Sequence, residues 1–174
     1  MGAVGRVLAR TALLVLLLPA LCRQARAAEA DGHLFVIERS LNANAVAYDV
    51  VTTRSGALDP GSPLRVYWLM RAERGEVREL NALERSWAYG YDVRSCGERG
   101  CTVALHALRT RTVEIEVAGG APRAVTLIGE RRGVLRRVFV TAAGRGPVSS
   151  VTSVELFGES SDGRVPLYER IAGR

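Results

Sequence analysis

An all-β domain is the fold class this sequence predicts, either a single antiparallel β-barrel or a β-sandwich of about ten short strands. Three observations carry that reading. Apolar and polar residues alternate with period two along most of the chain after residue 33. Turn chemistry recurs between the alternating runs, at Ser55-Gly56, Asp59-Pro60-Gly61, Arg74-Gly75, Gly119-Gly120-Ala121-Pro122 and Asp162-Gly163. Helical periodicity shows only once, over Leu80 to Ser86, where Leu80, Leu83 and Trp87 keep three-to-four spacing.

The chain opens with a segment of a different kind. Arg6 and Arg10 form a basic start, Thr11 to Leu21 is an unbroken apolar run, and Ala25-Arg26-Ala27 offers small residues where a signal peptidase reads. That run is too short to anchor in a bilayer core of about 30 Å. Residues 1–27 are therefore expected to be a secretory signal, leaving residues 28–174 as one all-β domain; Ala30 is the second cleavage position. Leu21 ahead of Cys22 argues against a lipoprotein site, which wants a small residue there.

The strands follow in order. Leu34 to Arg39 and Val46 to Val51 come first, and then Leu64, Val66, Trp68 and Met70 alternate with Arg65, Tyr67 and Arg71. Ala88 to Arg94, Thr102 to Leu108, and Val113, Ile115 and Val117 between Thr112, Glu114 and Glu116 continue the pattern. Arg123 to Ile128 precedes a two-sided run from Val134 to Thr141. Val154 to Phe157 and Val165 to Ile171 complete the set.

Charge narrows the partners. The full chain is +6, and every basic residue is arginine. Four arginines and no acid precede Ala28, so the mature chain holds 20 basic and 18 acidic residues, a net of +2. Nothing there marks a nucleic-acid partner, which needs a clustered basic face. No second apolar span follows the leader, so no transmembrane segment is expected in the mature chain. Cys96 and Cys101 flank Gly97-Glu98-Arg99-Gly100, a loop short enough for a disulfide in an exported protein. A metal site is the rival reading, and it lacks nearby histidine.

Motifs of catalysis are sparse. No glycine-rich phosphate loop, G-x-S-x-G, H-E-x-x-H or paired C-x-x-C occurs, so no cofactor, metal or catalytic residue is assigned. His33 stands at the start of the first strand, and His106 lies within a strand as a structural residue. The densest polar stretch is Glu38-Arg39-Ser40-Leu41-Asn42-Ala43-Asn44, a turn by its chemistry and a ligand-orienting rim by its alternative. Tyr67, Trp68, Trp87, Tyr89 and Tyr91 form an aromatic cluster, read as core packing or as a ligand-facing wall. Gly90 between two of these rings points to close approach by backbone or ligand.

Phe35-Val36-Ile37-Glu38-Arg39-Ser40 with Asn42 and Asn44, then Val66-Tyr67-Trp68, Ala88-Tyr89-Gly90-Tyr91, Val154-Glu155-Leu156-Phe157-Gly158 and Glu169-Arg170 resemble the bacterial domain-of-unknown-function family DUF4833. The likeness covers nearly all of the mature chain. It implies an exported bacterial protein, periplasmic or secreted, and supplies no activity. The Cys96–Cys101 pair stands outside that pattern, which suggests a local staple.

Three functional readings follow. The first is a module binding a small ligand or envelope component, using Arg39, Asn42, Asn44, Tyr89, Tyr91, Glu169 and Arg170. There Arg39 or Arg170 forks onto a carboxylate or phosphate beside tyrosine rings. The second is a structural or protein-interaction module of the envelope. The third is an enzyme built on Glu38, Arg39, Glu169 and Arg170. They rank in that order, and the oligomeric state is left open.

Overall fold

The computed structural model describes residues 32–97, 99–118, 121–144 and 150–173. The expected leader, Cys22 and both candidate cleavage positions lie outside these residues. Eleven strands form a single curled half-barrel sheet. They are β1 Phe35–Arg39, β2 Asn42–Val50, β3 Leu64–Met70, β4 Glu76–Glu79, β5 Tyr91–Gly97, β6 Gly100–Leu105, β7 Val113–Ala118, β8 Ala121–Ile128, β9 Arg131–Ala143, β10 Ser150–Ser160 and β11 Pro166–Ala172.

The architecture rests on β9. One antiparallel meander runs from β1 to β4 and a second from β5 to β8, and the end strands β1 and β8 both pair with β9. β10 occupies one edge of β9 along most of its length. The other edge is shared, with β8 on Arg131–Val134 and β1 on Arg137–Val140. The β1–β9 pair is parallel, a departure from the all-antiparallel expectation. Tight hairpins enforce antiparallel neighbours, and no hairpin joins these two strands.

A bulge lets one strand serve both wings. Arg137 faces Phe157 while Leu135 faces Gly158, so Arg136 is an extra residue on β9. Core-facing side chains accordingly run Leu135, Val138, Val140, with a step of three where strict alternation demands two. One hydrophobic core takes Phe35, Ile37, Val46, Tyr48, Val66 and Trp68 from the first wing and Val103, Leu105, Val113 and Ile115 from the second. Leu156 and Leu167 of the β10–β11 hairpin close it. Phe35 and Tyr48 stack at 4.4 Å between ring centroids.

Two expected elements move. The helix forms later than its Leu80 to Ser86 expectation, as a π-helix over Glu84–Tyr89. Asn81 and Glu84 cap its entry reciprocally, the Glu84 amide donating to Asn81 Oδ1 (2.8 Å) and the Asn81 amide to Glu84 Oε2 (2.9 Å). Ala88 and Tyr89 thus belong to the helix and not to the strand expected from Ala88 to Arg94. β4 is the one strand with no counterpart in the periodicity, because all four of its residues are exposed. It ends the first wing and presents Glu76, Arg78 and Glu79, charges that discourage addition of a further strand.

Cys96 and Cys101 face each other across the β5–β6 hairpin and are joined by a disulfide, with Cα atoms 4.1 Å apart. Reduction and alkylation are expected to cost about 2 kcal/mol, the chain-entropy value for so short a loop. The rest of the core is untouched, so thermal melts should show a lowered midpoint and a still cooperative transition. A reduced protein with no cooperative melt would show that the staple holds more than its hairpin. Among the described residues, no helix is long and apolar enough to cross a membrane.

Candidate functional site

Arg39 ends β1, where the register with β2 shifts between Glu38 and Arg39. In strand phase it follows Phe35 and Ile37, so its side chain leaves the sheet on the core side. Its Nη1 donates to the Tyr89 hydroxyl at 3.1 Å. Tyr89 is buried, its ring edge-on to Trp68 at 5.0 Å, and its carbonyl accepts the Tyr48 hydroxyl at 2.6 Å. Burial pushes the Tyr89 hydroxyl above its ordinary range, and the Arg39 charge opposes that shift. Trp68 Nε1 is buried with no hydrogen-bond partner among the described residues.

The turn beside Arg39 is locally organised. The Asn44 amide donates to Asn42 Oδ1 at 2.9 Å, an Asx turn, and the Ala72 amide donates to Asn44 Oδ1 at 3.3 Å. Ser40 ties the turn to β9, accepting the Ala142 amide on its Oγ at 3.1 Å. Both asparagines spend their carbonyl oxygens on backbone, and their side-chain amide donors take no partner among the described residues.

The remaining predicted site residues lie elsewhere. Tyr91 donates to the Leu64 carbonyl (2.7 Å) and accepts the Leu64 amide (3.1 Å), at the far end of β3. Leu64 pairs with Val50, eight residues along β2 from Asn42 and so about 26 Å away at 3.3 Å per residue. Glu169 faces inward and takes both Arg111 guanidinium nitrogens, at 2.6 and 2.8 Å, with the Gly129 amide at 2.6 Å. Arg170, next in the strand, is exposed on the opposite face across from Glu155. Arg39 and Tyr89 are therefore brought together beside Asn42 and Asn44, whereas Tyr91, Glu169 and Arg170 are not.

The carboxylates of the enzyme reading are already engaged. Glu38 faces outward and pairs with Arg71 and Arg137, while Glu169 is held by Arg111. No local signal in the sequence marks Arg111, a lone arginine between strands. Gly90 does mark a close approach, by backbone: a Cβ there would lie 1.9 Å from the Arg85 carbonyl oxygen. His106 braces the same joint, its Nδ1 3.0 Å from that carbonyl. A surface depression of about 390 Å³ over β6 and β7 is lined by Arg99, Thr102, Glu114, Glu116 and Arg132 and holds no aromatic ring.

A second polar cluster lies on the outer face of the first wing. His33 Nδ1 is 2.8 Å from Asp49 Oδ1, and the Tyr67 hydroxyl donates to Asp49 Oδ2 at 2.5 Å. Tyr67 Oη and His33 Nδ1 are 3.3 Å apart. An acid at a strand end reads as ordinary surface, so nothing local in the sequence marks Asp49.

A family model described as a domain of unknown function (DUF4833) matches residues 35–170, and the chain belongs to that family. No curated protein and no solved structure matches it.

Proposed function

We propose that this DUF4833 protein is an exported binding module that holds a small anionic molecule or envelope component at the β1–β2 hairpin end of the half-barrel, with Arg39 as principal contact. One observation carries the reading. Among half-buried arginines, Arg111, Arg136 and Arg137 each hold a carboxylate and Arg123 a backbone carbonyl. Arg39 has only the neutral Tyr89 hydroxyl among the described residues. A guanidinium carries five donors, so one phenol positions it and leaves a fork for carboxylate or phosphate. The amide donors of Asn42 and Asn44 supply further polar contacts at the same rim. The leader supports export to the periplasm or beyond.

Native mass spectrometry of protein taken from its own periplasm tests this. The expected result is a retained small anion, released on denaturation. A mass equal to the bare mature chain at every preparation would contradict it. Exposed Leu83 and Trp87, 68% and 70% accessible on the π-helix segment, favour a protein-interaction surface as the second reading. Under that reading a co-purifying protein would be lost on Trp87→Ser and kept on Arg39→Ala.

A further inference from the structure

We infer that β11 is a docking edge for a second copy of this chain, the two β11 strands pairing antiparallel about a two-fold axis at Glu169. Among the described residues, β4, β5 and β11 are the strands that pair on one side only. Open edges invite further strands, and two of these are blunted. β4 is 4 residues long and fully exposed, with Glu76, Arg78 and Glu79 on it. β5 is interrupted by a bulge, where its register with β6 shifts between Val93 and Ser95. β11 is neither short nor bulged, and it keeps unbroken register with β10 from Pro166 to Ala172.

The hydrogen-bond phase of the hairpin fixes which backbone groups are free. The Ser160 amide donates to the Val165 carbonyl and the Gly173 amide to the Thr152 carbonyl, both at 2.8 Å. Odd-numbered residues from Val165 to Gly173 therefore bond to β10. Alternation turns the N–H and C=O groups of Tyr168, Arg170 and Ala172 to the open side, with the Pro166 carbonyl. These groups have no backbone partner among the described residues. Self-pairing about Glu169 uses all of them. Tyr168 falls opposite Arg170 of the second copy, with two backbone bonds per pair, and the Ala172 amide reaches the Pro166 carbonyl. The side chains match in the same register. Tyr168 and Arg170 are exposed on the outer face, where ring and guanidinium meet across the seam. Leu167 and Ile171 meet on the inner face, and the opposed Glu169 carboxylates are each already held by Arg111 at 2.6 and 2.8 Å. Sliding the strands by two residues one way sets Arg170 against its own copy. Sliding them the other way puts Pro166, with no N–H, opposite the Arg170 carbonyl. Charge and backbone chemistry thus select one self-complementary register, the requirement of a closed two-fold contact.

Sedimentation equilibrium of the oxidised protein tests this, carried up to about 200 μM because a single strand edge gives an interface of the weak class. A monomer–dimer equilibrium is expected in the wild type. Arg170→Pro removes an N–H that faces away from β10, so it should leave a monomer that melts within a few degrees of the wild type. Arg170→Glu should weaken the dimer about tenfold, since a carboxylate replaces the cation at both Tyr168 rings. Adding Tyr168→Arg to Arg170→Glu sets opposite charges across the seam and should recover most of that loss, but only in the register centred on Glu169. A wild type that stays monomeric overturns the pairing, as does a dimer that persists in Arg170→Pro. A double variant no tighter than Arg170→Glu overturns the register, and so the site. Native mass spectrometry that shows a different protein on the wild type, lost in Arg170→Pro, and no dimer overturns the second copy as occupant. The edge shares no residue with the Arg39 rim, so the failure of one leaves the other standing.

Discussion

Gly158→Ala is expected to destabilise the domain by about 3 kcal/mol, the upper range for forcing atoms into a filled interior. A Cβ on Gly158 would stand 2.2 Å from the Val134 carbonyl oxygen and 2.5 Å from Ile128 Cδ1. The first of these is backbone in the ladder that joins β9 to β10, so it cannot swing aside as a side-chain end would. Gly158 also sits where the register shifts to accommodate the extra residue on β9, the feature that lets both wings dock on one strand. Urea unfolding of the variant measures the loss. Gly97→Ala is the control, with nothing within 4 Å of its added atom, and should be close to neutral. Equal stability of the two variants would show that the bulge tolerates a side chain.

Leu156→Ala should cost about 3 to 4 kcal/mol, within the range for truncating a fully buried leucine. Leu156 is 0% exposed on β10 and lies opposite Val138 on β9 and Glu169 on β11. Its side chain enters the core where the hairpin meets both wings, and close-packed neighbours on a shared strand cannot collapse far into the gap. The denaturation midpoint should fall with the slope unchanged. A cost below about 1 kcal/mol would mean that the site repacks.

Most of the sheet was legible because half-buried strands write their burial as alternation. The runs at Leu64 to Met70 and at Val113 to Val117 became β3 and β7 with little change. β4 was silent for the converse reason: Glu76, Val77, Arg78 and Glu79 are all exposed, so no apolar phase marks them. Trp87, Tyr89 and Tyr91 imitate a strand by their spacing, yet Trp87 projects to solvent and Tyr89 into the core from a π-helix. The capping pair Asn81 and Glu84 was the local signal that outweighed them. The parallel β1–β9 pairing joins residues about a hundred positions apart, and no local pattern encodes strand direction at that range.

The site was legible in part, and the divide has a physical cause. Arg39 and Tyr89 meet because β1 and the helix exit share one end of the core. Glu169 and Arg170 are consecutive in β11, so they must point to opposite faces, and no closure of the sheet brings both to one cavity. Neither arginine takes its sequence neighbour as partner: Glu38 goes to Arg71 and Arg137, and Glu169 goes to Arg111. Tyr91 spends its hydroxyl on the backbone of Leu64. The outer-face trio of His33, Asp49 and Tyr67 depends on diagonal neighbours across two strands, which no linear motif records.

On the proposed function, Arg39 holds an anion and is not needed to hold the fold. Arg39→Ala and Arg39→Lys, purified from the periplasm beside the wild type, test it in one native mass-spectrometry and thermal-melt comparison. The ligand mass should disappear in Arg39→Ala and be mostly lost in Arg39→Lys, which keeps the charge without the fork. Both variants should melt within a few degrees of the wild type, since only one hydrogen bond to Tyr89 is removed. Retention of the same ligand by Arg39→Ala would show that Arg39 does not hold it, and loss only because the variant unfolds would show that Arg39 is structural.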